Sequence, residues 1–368
     1  MARPWRSPMS GSASFPLLRD AVNRLIFHAL LAFAITAFLA HFLRRPALRI
    51  GLVDIPGGRK QHAGEIPVIG GIAMFCGFTF SLLGVGKLDG TNLSLVCALA
   101  LMIMVGALDD MRDLAARHKF VAQIIAALFM TSWAGNYVGQ VGNLLGFGSL
   151  SLYNWAIPFT VVCVLGVINA INMLDGSDGL AGSVCLTALT WFAVAAGLSG
   201  QDIPLLIAVL MMSAVAGFLL FNLRLPWQAH ARVFMGDAGS MMLGFALVWL
   251  AVDLTQSSGR TLPPIVAVWI IALPLADMAR VMLTRILRNQ SPFVADRIHL
   301  HHLLITRGYS NNRVVLTMAA LSATAGGAGI GAWKLGVPEY VLFYAFIFAL
   351  AAYCLALRRC SANNAPPR

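Results

Sequence analysis

The chain alternates long apolar runs with short polar gaps. A membrane-spanning helix needs about 20 apolar residues, within a range of roughly 17–25. Eleven runs come near that length, around residues 25–43, 68–85, 93–108, 120–138, 155–171, 180–198, 203–220, 239–254, 265–282, 314–332 and 337–357. The pattern predicts an all-α polytopic membrane protein, a bundle of about eleven transmembrane helices.

Composition supports the membrane interpretation. Hydrophobic residues make up 59% of the 368 and charged residues only 11%, against about 45–50% and about 25% in soluble proteins. So few charged side chains exclude a soluble enzyme, a disordered chain and a disulfide-rich scaffold. The net charge of +11 is spread over short loops, so no nucleic-acid partner is expected. The six cysteines show neither pairing nor metal-ligand spacing.

Basic residues favour one side of the membrane. The opposite loops hold only Lys87, Arg260 and Lys334. By the positive-inside rule, the basic set is cytoplasmic, and it comprises loops at about 44–67, 109–119, 172–179, 221–238 and 283–313 with the C-terminal tail. The sequence predicts one transmembrane domain over 23–357, an N-terminal tail over 1–22 and a C-terminal tail over 358–368.

The N-terminal segment fits this topology less well. Its arginines would face outward, against the rule. The first apolar run could also be a signal peptide cleaved near Ala40. Its length exceeds the usual apolar region of about 7–15 residues, and the basic loop after it favours a retained helix.

Acidic residues gather after the third run. On a continuous helix Asp109 and Asp113 share a face, and Asp110 lies about 100° round from them. Like charges at this spacing repel, so the cluster needs a cation or a raised pKa. Mg²⁺, which binds one or two carboxylates plus substrate phosphates, meets that need. The alternative is a solvated helix end in which Asp113 pairs with Arg117.

A second polar segment follows the fifth run. Asn169, Asn172, Asp175 and Asp178 recur every third residue, and glycines beside both acids permit close approach of a ligand. A tight polar turn would also explain this composition. Asp237, between two glycines at the start of the eighth run, predicts either a helix cap or a metal ligand beside phosphate-binding N–H groups.

Histidines and arginines mark the longest predicted cytoplasmic loop. His299, His301 and His302 are too close in sequence to converge on one tetrahedral zinc ion, and no Cys or Glu completes a set. Five arginines flank them at positions 285, 288, 297, 307 and 313. This composition suits a diphosphate. A polybasic loop on anionic lipid would explain the arginines but not the histidines.

Other charged residues have two interpretations each. Arg59, Lys60 and His62 either add donors to the same site or only orient the chain. Asp277 and Arg280, spaced i,i+3 in the ninth run, either form a structural pair, which we favour, or line the site.

Together these groups describe one site on one side of the membrane. Acids that can bind a metal lie beside bases that can bind phosphate. This combination favours a phosphorylated donor in water and an acceptor in lipid. The predicted chemistry is phosphoryl transfer, which depends mainly on positioning and charge neutralisation.

Five motifs, in order from about residue 50 to 313, resemble the polyprenyl-phosphate N-acetylhexosamine-1-phosphate transferases. They are Arg59-Lys60-x-His62, Asp109-Asp110-x-x-Asp113, Asn172-x-x-Asp175-Gly-x-Asp178-Gly, Phe-Met-Gly-Asp237-x-Gly-Ser and Asp296-Arg-x-His299-x-His301-His302. The chain looks closest to the bacterial undecaprenyl-phosphate N-acetylglucosamine 1-phosphate branch, and the His-x-His-His form is similar to that branch and to the teichoic-acid linkage enzyme. It is less similar to the muramoyl-pentapeptide branch.

The resemblance implies a bundle of ten or eleven spans in the bacterial inner membrane, with the active site facing the cytoplasm. It implies transfer of sugar 1-phosphate from a UDP-N-acetylhexosamine to undecaprenyl phosphate, with release of UMP, as the first step of O-antigen or other surface-polysaccharide synthesis. N-Acetylglucosamine is the expected sugar, and N-acetylfucosamine, N-acetylgalactosamine and MurNAc-pentapeptide stay open. Mg²⁺ is the expected cofactor, with Mn²⁺ as a substitute. The oligomeric state stays open, a homodimer included.

The resemblance also implies roles for single residues. Asp237 would bind Mg²⁺ together with Asp109 and Asp110, and these two acids and Asp113 would be catalytic. The histidines 299, 301 and 302 would also be catalytic and would hold the diphosphate and sugar. The remaining substrate contacts would come from Arg59, Lys60, His62, Asn169, Asn172, Asp175, Asp178, Phe234, Arg285 and Arg297. Direct attack by the acceptor is favoured over an aspartyl-phosphate intermediate, because a phosphomonoester with a second pKa of about 6 is already dianionic at neutral pH.

Three other classes fit less well. A membrane aromatic prenyltransferase would need two similar Asp-rich helices and no His-x-His-His loop. A CDP-alcohol phosphotransferase would have Ala-Arg shortly after its first Asp-Gly, whereas Ser-Asp-Gly-Leu follows Gly176. An ion-coupled transporter, the non-enzyme alternative, would place acids at the bilayer midplane between repeats.

Overall fold

The computed structural model describes residues 15–54, 64–256, 262–291 and 298–362. Its helices are α1 Phe15–Phe42, α2 Arg44–Ile50, α3 Gly70–Val85, α4 Gly90–Arg112, α5 Ala116–Leu128, α6 Ala156–Leu174, α7 Leu180–Ser199, α8 Asp202–Asn222, α9 Gly236–Gln256, α10 Pro264–Ile270, α11 Ala272–Leu287, α12 Leu300–Thr306, α13 Asn311–Lys334 and α14 Glu339–Ala362. A π-helical turn covers Phe129–Trp133 and a 3-10 turn covers Tyr153–Trp155. Two short strands, β1 Val53–Asp54 and β2 Ile66–Pro67, form one hairpin.

Each of the eleven predicted runs coincides with helical structure, but not every run is one long helix. Within the described ranges, eight helices are long and apolar enough to cross a membrane, namely α1, α4, α6, α7, α8, α9, α13 and α14. The pair α10 and α11 is a ninth candidate, bent by 79°. The prediction of an all-α polytopic membrane protein is confirmed, whereas the count of about eleven spans is not.

Local sequence explains the three runs that differ. Helix α3 has 16 residues and ends at Gly86, where the φ angle is 72°. Helix α5 has 13 residues and passes directly into the π-helical turn, which Gly135 follows with a φ of 67°. Pro274 has no N–H to donate to the carbonyl of Ile270. The helix is therefore interrupted at Ile271, between α10 and α11.

Helix α9 lies at the centre of the bundle. Its apolar window is 89% buried, against 11% for α14. Helices α4 and α6 approach it at glycines. A Cβ on Gly106 would lie 2.3 Å from Ala238 Cα, and a Cβ on Gly244 would lie 2.6 Å from Ile168 Cα. Small residues therefore bring the end of α4 against the start of α9, as they do between other membrane helices.

Gly106→Ala is expected to separate α4 from α9 and to lower both stability and activity. The added methyl group meets backbone atoms that cannot rotate away, and overpacking of this kind costs about 1–3 kcal/mol. Thermal unfolding of the solubilised protein measures the first effect. Gly166→Ala in α6 is the matched control, because a Cβ there meets nothing within 4 Å. Equal losses in both variants would contradict the close packing of α4 on α9.

The hairpin attaches the first polar loop to the segment before α9. Val53 pairs with Pro67 in an antiparallel register. Phe234 donates its N–H to the carbonyl of Pro67 at 2.9 Å, and Gly70 donates to the carbonyl of Phe234 at 3.0 Å. The start of α3 and the start of α9 are thereby fixed to each other. The predicted site residues at 59, 60 and 62 lie outside the described residues.

Candidate active site

Lys119 joins two carboxylates from different helices. Its Nζ, in the first turns of α5, donates to Asp109 Oδ2 at 2.8 Å and to Asp237 Oδ2 at 3.1 Å. Asp109 lies near the end of α4, and Asp237 is in the first turn of α9. The Oδ1 atom of Asp109 also accepts the N–H of Leu114 at 2.7 Å. An ammonium group therefore balances like charges that would otherwise repel.

Asp110 binds the backbone at the start of α9. Its Oδ1 accepts the N–H of Asp237 at 2.9 Å, and its Oδ2 accepts the N–H of Ala238 at 3.3 Å. The turn into α9 needs Gly236, whose φ angle is 71° and whose added Cβ would lie 2.4 Å from Asp110 Oδ2. A carboxylate is favoured at this position because the first N–H groups of a helix are unpaired and carry partial positive charge.

Asp113 lies apart from these two acids. Helix α4 ends at Arg112, and Asp113 follows as an exposed C-cap residue with a φ angle of 50°. The face that it would share with Asp109 on a continuous helix is lost because the helix has ended. In the part of the chain that the structure describes, no ion pair links Asp113 to Lys119 or Arg117.

Asn172 contacts the other oxygen of Asp237. Its Nδ2 donates to Asp237 Oδ1 at 3.0 Å and to Ser240 Oγ at 3.0 Å. Ser240 in turn donates to the carbonyl of Gly236 at 3.1 Å. One turn earlier, Asn169 instead donates to Gln123 Oε1 at 2.9 Å, which links α6 to α5. Asn172 therefore lies in the acidic cluster. Asn169 has no hydrogen bond to that cluster within the described structure and joins α6 to α5.

Asp175 is half-buried just beyond α6, and its carboxylate has no hydrogen-bond partner among the described residues. Burial, reinforced by the negative charges of Asp237, Asp110 and Asp178, raises the pKa of Asp175 to about 8. The adjacent Gly176 packs against His301, since a Cβ at Gly176 would lie 2.8 Å from His301 Nε2. The segment after α6 thus brings the acidic cluster next to the histidines.

The raised pKa of Asp175 predicts a pH-dependent stability. Between about pH 4 and pH 8 the native carboxyl binds a proton that the unfolded chain, with a pKa of 3.8, has released, so this contribution to stability falls as pH rises. Asp175→Asn removes the charge and keeps the shape. Its unfolding temperature should exceed that of the wild type by more at pH 9 than at pH 6. A difference that does not change with pH would contradict the raised pKa.

Asp178 belongs to a separate set of contacts. Its Oδ2 accepts from Arg224 Nε at 2.7 Å and from the N–H of Ala231 at 3.2 Å. Next to it, the N–H of Gly179 donates to Asn222 Oδ1 at 2.8 Å, and Asn222 Nδ2 donates to the carbonyl of Val233 at 2.8 Å. These bonds fix the segment after α6 to the end of α8 and to the segment that leads into α9.

The histidines lie on and beside the short helix α12. His299 Nδ1 is 2.8 Å from Asp277 Oδ2, and the rings of His301 and His302 are 4.1 Å apart. His301 is 1% exposed, and both of its ring nitrogens are buried with no hydrogen-bond partner in the described structure. Burial, together with the neighbouring His302 and His299, lowers the pKa of His301 to about 3. His301 is therefore neutral at pH 7.

The remaining predicted residues have different positions. Arg285 is buried in the last turn of α11, and Phe234 is half-buried just before α9. Arg297 lies outside the described residues. The predicted pair of Asp277 and Arg280 is confirmed, with Arg280 Nη2 3.4 Å from Asp277 Oδ1.

The acidic cluster has carboxylate oxygens that can serve as ligands of one cation. Oxygens of Asp109 and Asp237 converge on a single positive centre, the ammonium of Lys119. Within the described ranges, no three His, Cys, Asp or Glu side chains are already grouped to hold a metal ion. Mg²⁺ does not require such a group, because it commonly binds one or two carboxylates and takes its other ligands from water and substrate phosphates. The donor set therefore fits Mg²⁺ bound together with a phosphorylated substrate.

Sequence reasoning missed three of the residues that hold this site. Lys119 and Arg224 fall within the basic loops, where the sequence indicates only that their charges orient the chain, and Asn222 belongs to no motif. The signal for Lys119 is its place in the first turns of the helix that follows an acid-rich helix end. No motif spacing points to Asn222 or Arg224, because their partners at 178 and 179 are distant in sequence.

Comparisons with known proteins identify a family and relatives of this chain. The family described as glycosyl transferase family 4 matches residues 92–255. The chain is 33% identical over 330 residues to the undecaprenyl-phosphate alpha-N-acetylglucosaminyl 1-phosphate transferase of Salmonella typhi. The aligned region covers 89% of each chain. The protein of the same name from Yersinia pestis is 35% identical, over 86% of this chain and 87% of its own. The one from Haemophilus influenzae is 32% identical, over 85% of this chain and 91% of its own.

Proposed function

Because this chain belongs to glycosyl transferase family 4, we propose that it transfers N-acetylglucosamine 1-phosphate from UDP-N-acetylglucosamine to undecaprenyl phosphate and releases UMP. The names of relatives that span nearly nine-tenths of the chain support the donor and the acceptor. The observation in the structure that carries the proposal is the cluster of Asp109, Asp110, Lys119 and Asp237 at the start of α9. That cluster can hold a cation and phosphates at the end of an apolar bundle.

The reaction forms one bond and breaks one bond. An oxygen of the acceptor phosphate attacks the β-phosphorus of the donor, and the bond from that phosphorus to the oxygen bridging the two phosphates breaks, so that UMP leaves. A general base adds little, because a phosphomonoester with a second pKa of about 6 has already lost its proton at neutral pH. The protein therefore acts mainly by holding the two substrates in line and by offsetting their negative charge.

The acidic cluster performs both tasks in this proposal. Asp237 and Asp109 would hold Mg²⁺, for which Mn²⁺ can substitute, and the ion would offset charge on the phosphates of both substrates. Asp110 keeps the start of α9 in place through two backbone bonds. Asn172 fixes the rotamer of Asp237. Lys119 holds the two carboxylates together and adds positive charge beside the phosphates.

The neighbouring segments would bind the donor. Asp175 and Asp178 lie on the segment after α6, and Phe234 precedes α9 where a uracil ring could stack. The histidines of α12, with Arg285 and Arg297, would hold the diphosphate and sugar. Arg59, Lys60 and His62, which lie outside the described residues, would add donors to the same site. Direct transfer requires no covalent intermediate on Asp109 or Asp110.

Charge and substrate support a location and a pathway. The site residues belong to or adjoin the basic loops, so the positive-inside rule supports a cytoplasmic site. UDP-sugars are cytoplasmic, and the acceptor is a lipid of the bacterial inner membrane. A sugar linked to this lipid through a diphosphate is the starting unit for a surface polysaccharide such as O-antigen.

A panel of donors tests this function. Purified protein with undecaprenyl phosphate and Mg²⁺ receives UDP-N-acetylglucosamine, UDP-N-acetylgalactosamine, UDP-N-acetylfucosamine or UDP-MurNAc-pentapeptide, and UMP release is measured. UMP from the first donor alone, lost on adding EDTA, is expected. UMP from another donor alone would preserve the reaction and change the sugar. No UMP from any donor with folded protein would overturn the proposal and make the transport alternative the next test.

A further inference from the structure

Asp277 is a buried carboxylate that receives hydrogen bonds from three parts of the chain. It lies in α11 and is 2% exposed. Its Oδ2 contacts His299 Nδ1 at 2.8 Å. Its Oδ1 accepts from the N–H of Leu300 at 3.0 Å and from the hydroxyl of Tyr353 in α14 at 2.9 Å, with Arg280 Nη2 at 3.4 Å. A buried charge is tolerated when it is paired and fully hydrogen-bonded in this way.

The same network fixes the entry to α12. Arg280 also donates to the carbonyl of Ile298. Ile298 and Leu300, the residues on either side of His299, are therefore both hydrogen-bonded to α11. His299 is itself 5% exposed. Its position is set by tertiary contacts rather than by α12, which has only seven residues.

The contact with Asp277 determines which nitrogen of His299 carries hydrogen. An ionised carboxylate only accepts hydrogen bonds, so His299 Nδ1 must be protonated. The Nε2 atom lies on the opposite edge of the ring and is left for another partner. The ring stacks on His301, with centroids 5.8 Å apart and planes at 17°, and His301 packs on Gly176 beside Asp175. The ring of His299 thus lies next to the region that holds the proposed donor site.

We propose that Asp277 is a positioning residue for the transfer reaction. It keeps His299 protonated at Nδ1 and directs the Nε2 lone pair toward a hydroxyl group of the donor sugar, from which Nε2 can accept a hydrogen bond, and Tyr353 holds the carboxylate in the required rotamer. The inference rests on the proposed function for its substrate. It assigns a role to α14, because Tyr353 connects this last span to His299 through Asp277.

Asp277→Asn is the decisive variant. Three donors converge on Oδ1, so the amide oxygen of the new side chain must take that position, and its NH₂ group then faces His299 Nδ1. A donor against Nδ1 forces the hydrogen of the neutral ring onto Nε2. The change of tautomer in an Asp–His pair lowered kcat about 10⁴-fold in a serine protease. We expect a loss of about 10²–10⁴-fold in kcat here, with the KM for the UDP-sugar changed less than about threefold.

Two readouts separate positioning from structure. ¹⁵N NMR of histidine-labelled protein, assigned with His299→Gln, should show Nδ1 protonated in the wild type and Nε2 protonated in Asp277→Asn. Tyr353→Phe should keep the wild-type tautomer and lower kcat by about 3–10-fold, in line with one lost hydrogen bond. Tyr344→Phe is the matched control on the same helix, where Tyr344 is exposed, and its kcat should be unchanged.

Defined outcomes would overturn the inference. Asp277→Asn with kcat within about threefold of the wild type would do so. A loss of kcat without a change of tautomer, or one that follows a fall in unfolding temperature, would assign Asp277 a structural role only. A wild-type protein that releases no UMP would overturn the proposed function, and with it the role of Asp277 in transfer. Loss of activity in the variant alone, with the tautomer switched, would support both.

Discussion

Asp237→Asn is expected to abolish turnover, by about 10³-fold or more, at every Mg²⁺ concentration. Both oxygens of Asp237 are engaged, Oδ2 with Lys119 and Oδ1 with Asn172. An amide nitrogen at either position would face a donor instead of an acceptor. It would also remove the charge that a divalent cation needs. The measurement is initial-rate UMP release across a Mg²⁺ titration from micromolar to tens of millimolar.

A matched carboxylate at the other end of the bundle controls for this substitution. Asp202 is exposed in the first turn of α8, whose last residue, Asn222, is the one that contacts the site. Asp202→Asn should retain wild-type activity. Near-normal turnover of Asp237→Asn across the whole Mg²⁺ titration would remove Asp237 from the proposed metal site.

Lys119→Met should lower kcat by about 10²–10³-fold, the effect of removing one well-placed electrostatic donor. Without the ammonium, Asp109 and Asp237 repel each other. The end of α4 and the start of α9 then lose the only cation that they share among the described residues. Lys119→Arg keeps the charge, but a planar fork cannot place one nitrogen between two oxygens. It should therefore restore only part of the activity.

The control for Lys119 is a neighbouring cation. Arg117 is exposed in the same first turns of α5, and Arg117→Met should leave kcat unchanged. If Lys119→Met keeps wild-type kcat while both variants fold, the bridge between the two acids does not contribute to the reaction.

The sequence predicted the elements of this fold well because membrane helices depend on one strong signal. Each apolar run coincides with a helix or a helix pair, since backbone groups in lipid must be hydrogen-bonded within the segment. The lengths of the apolar runs were less informative about how many of them form one continuous membrane-spanning helix. The break at Ile271 and the π-helical turn after α5 depend on Pro274 and on local packing, and an average over apolar residues does not detect them.

The acidic site was predicted in outline and changed in detail. Proximity of the segments at 109–110, 172 and 237 followed from their common side of the membrane, and the structure brings them within hydrogen-bond distance. Asp113 was grouped with them by helical periodicity, which fails where α4 ends at Arg112. Lys119 could not be identified from spacing, because its partners come from two helices that approach each other through Gly106.

One local ion pair was predicted, and contacts between residues distant in sequence were missed. Asp277 and Arg280 are one turn apart, so periodicity alone indicated their pair. The bond from Tyr353 to Asp277 and the bond from Arg224 to Asp178 join residues far apart in sequence. Such contacts depend on the three-dimensional order of the helices, which a single sequence does not specify.

Transfer of the sugar together with its phosphate is the central claim, and isotope position tests it directly. UDP-N-acetylglucosamine labelled with ³²P in the β-phosphate is incubated with protein, undecaprenyl phosphate and Mg²⁺, and the lipid and aqueous phases are separated. We predict that the label enters the lipid phase while unlabelled UMP appears in water, and that EDTA stops both. Label that stays in water as UDP while sugar enters the lipid, or lipid that acquires neither, would contradict the account.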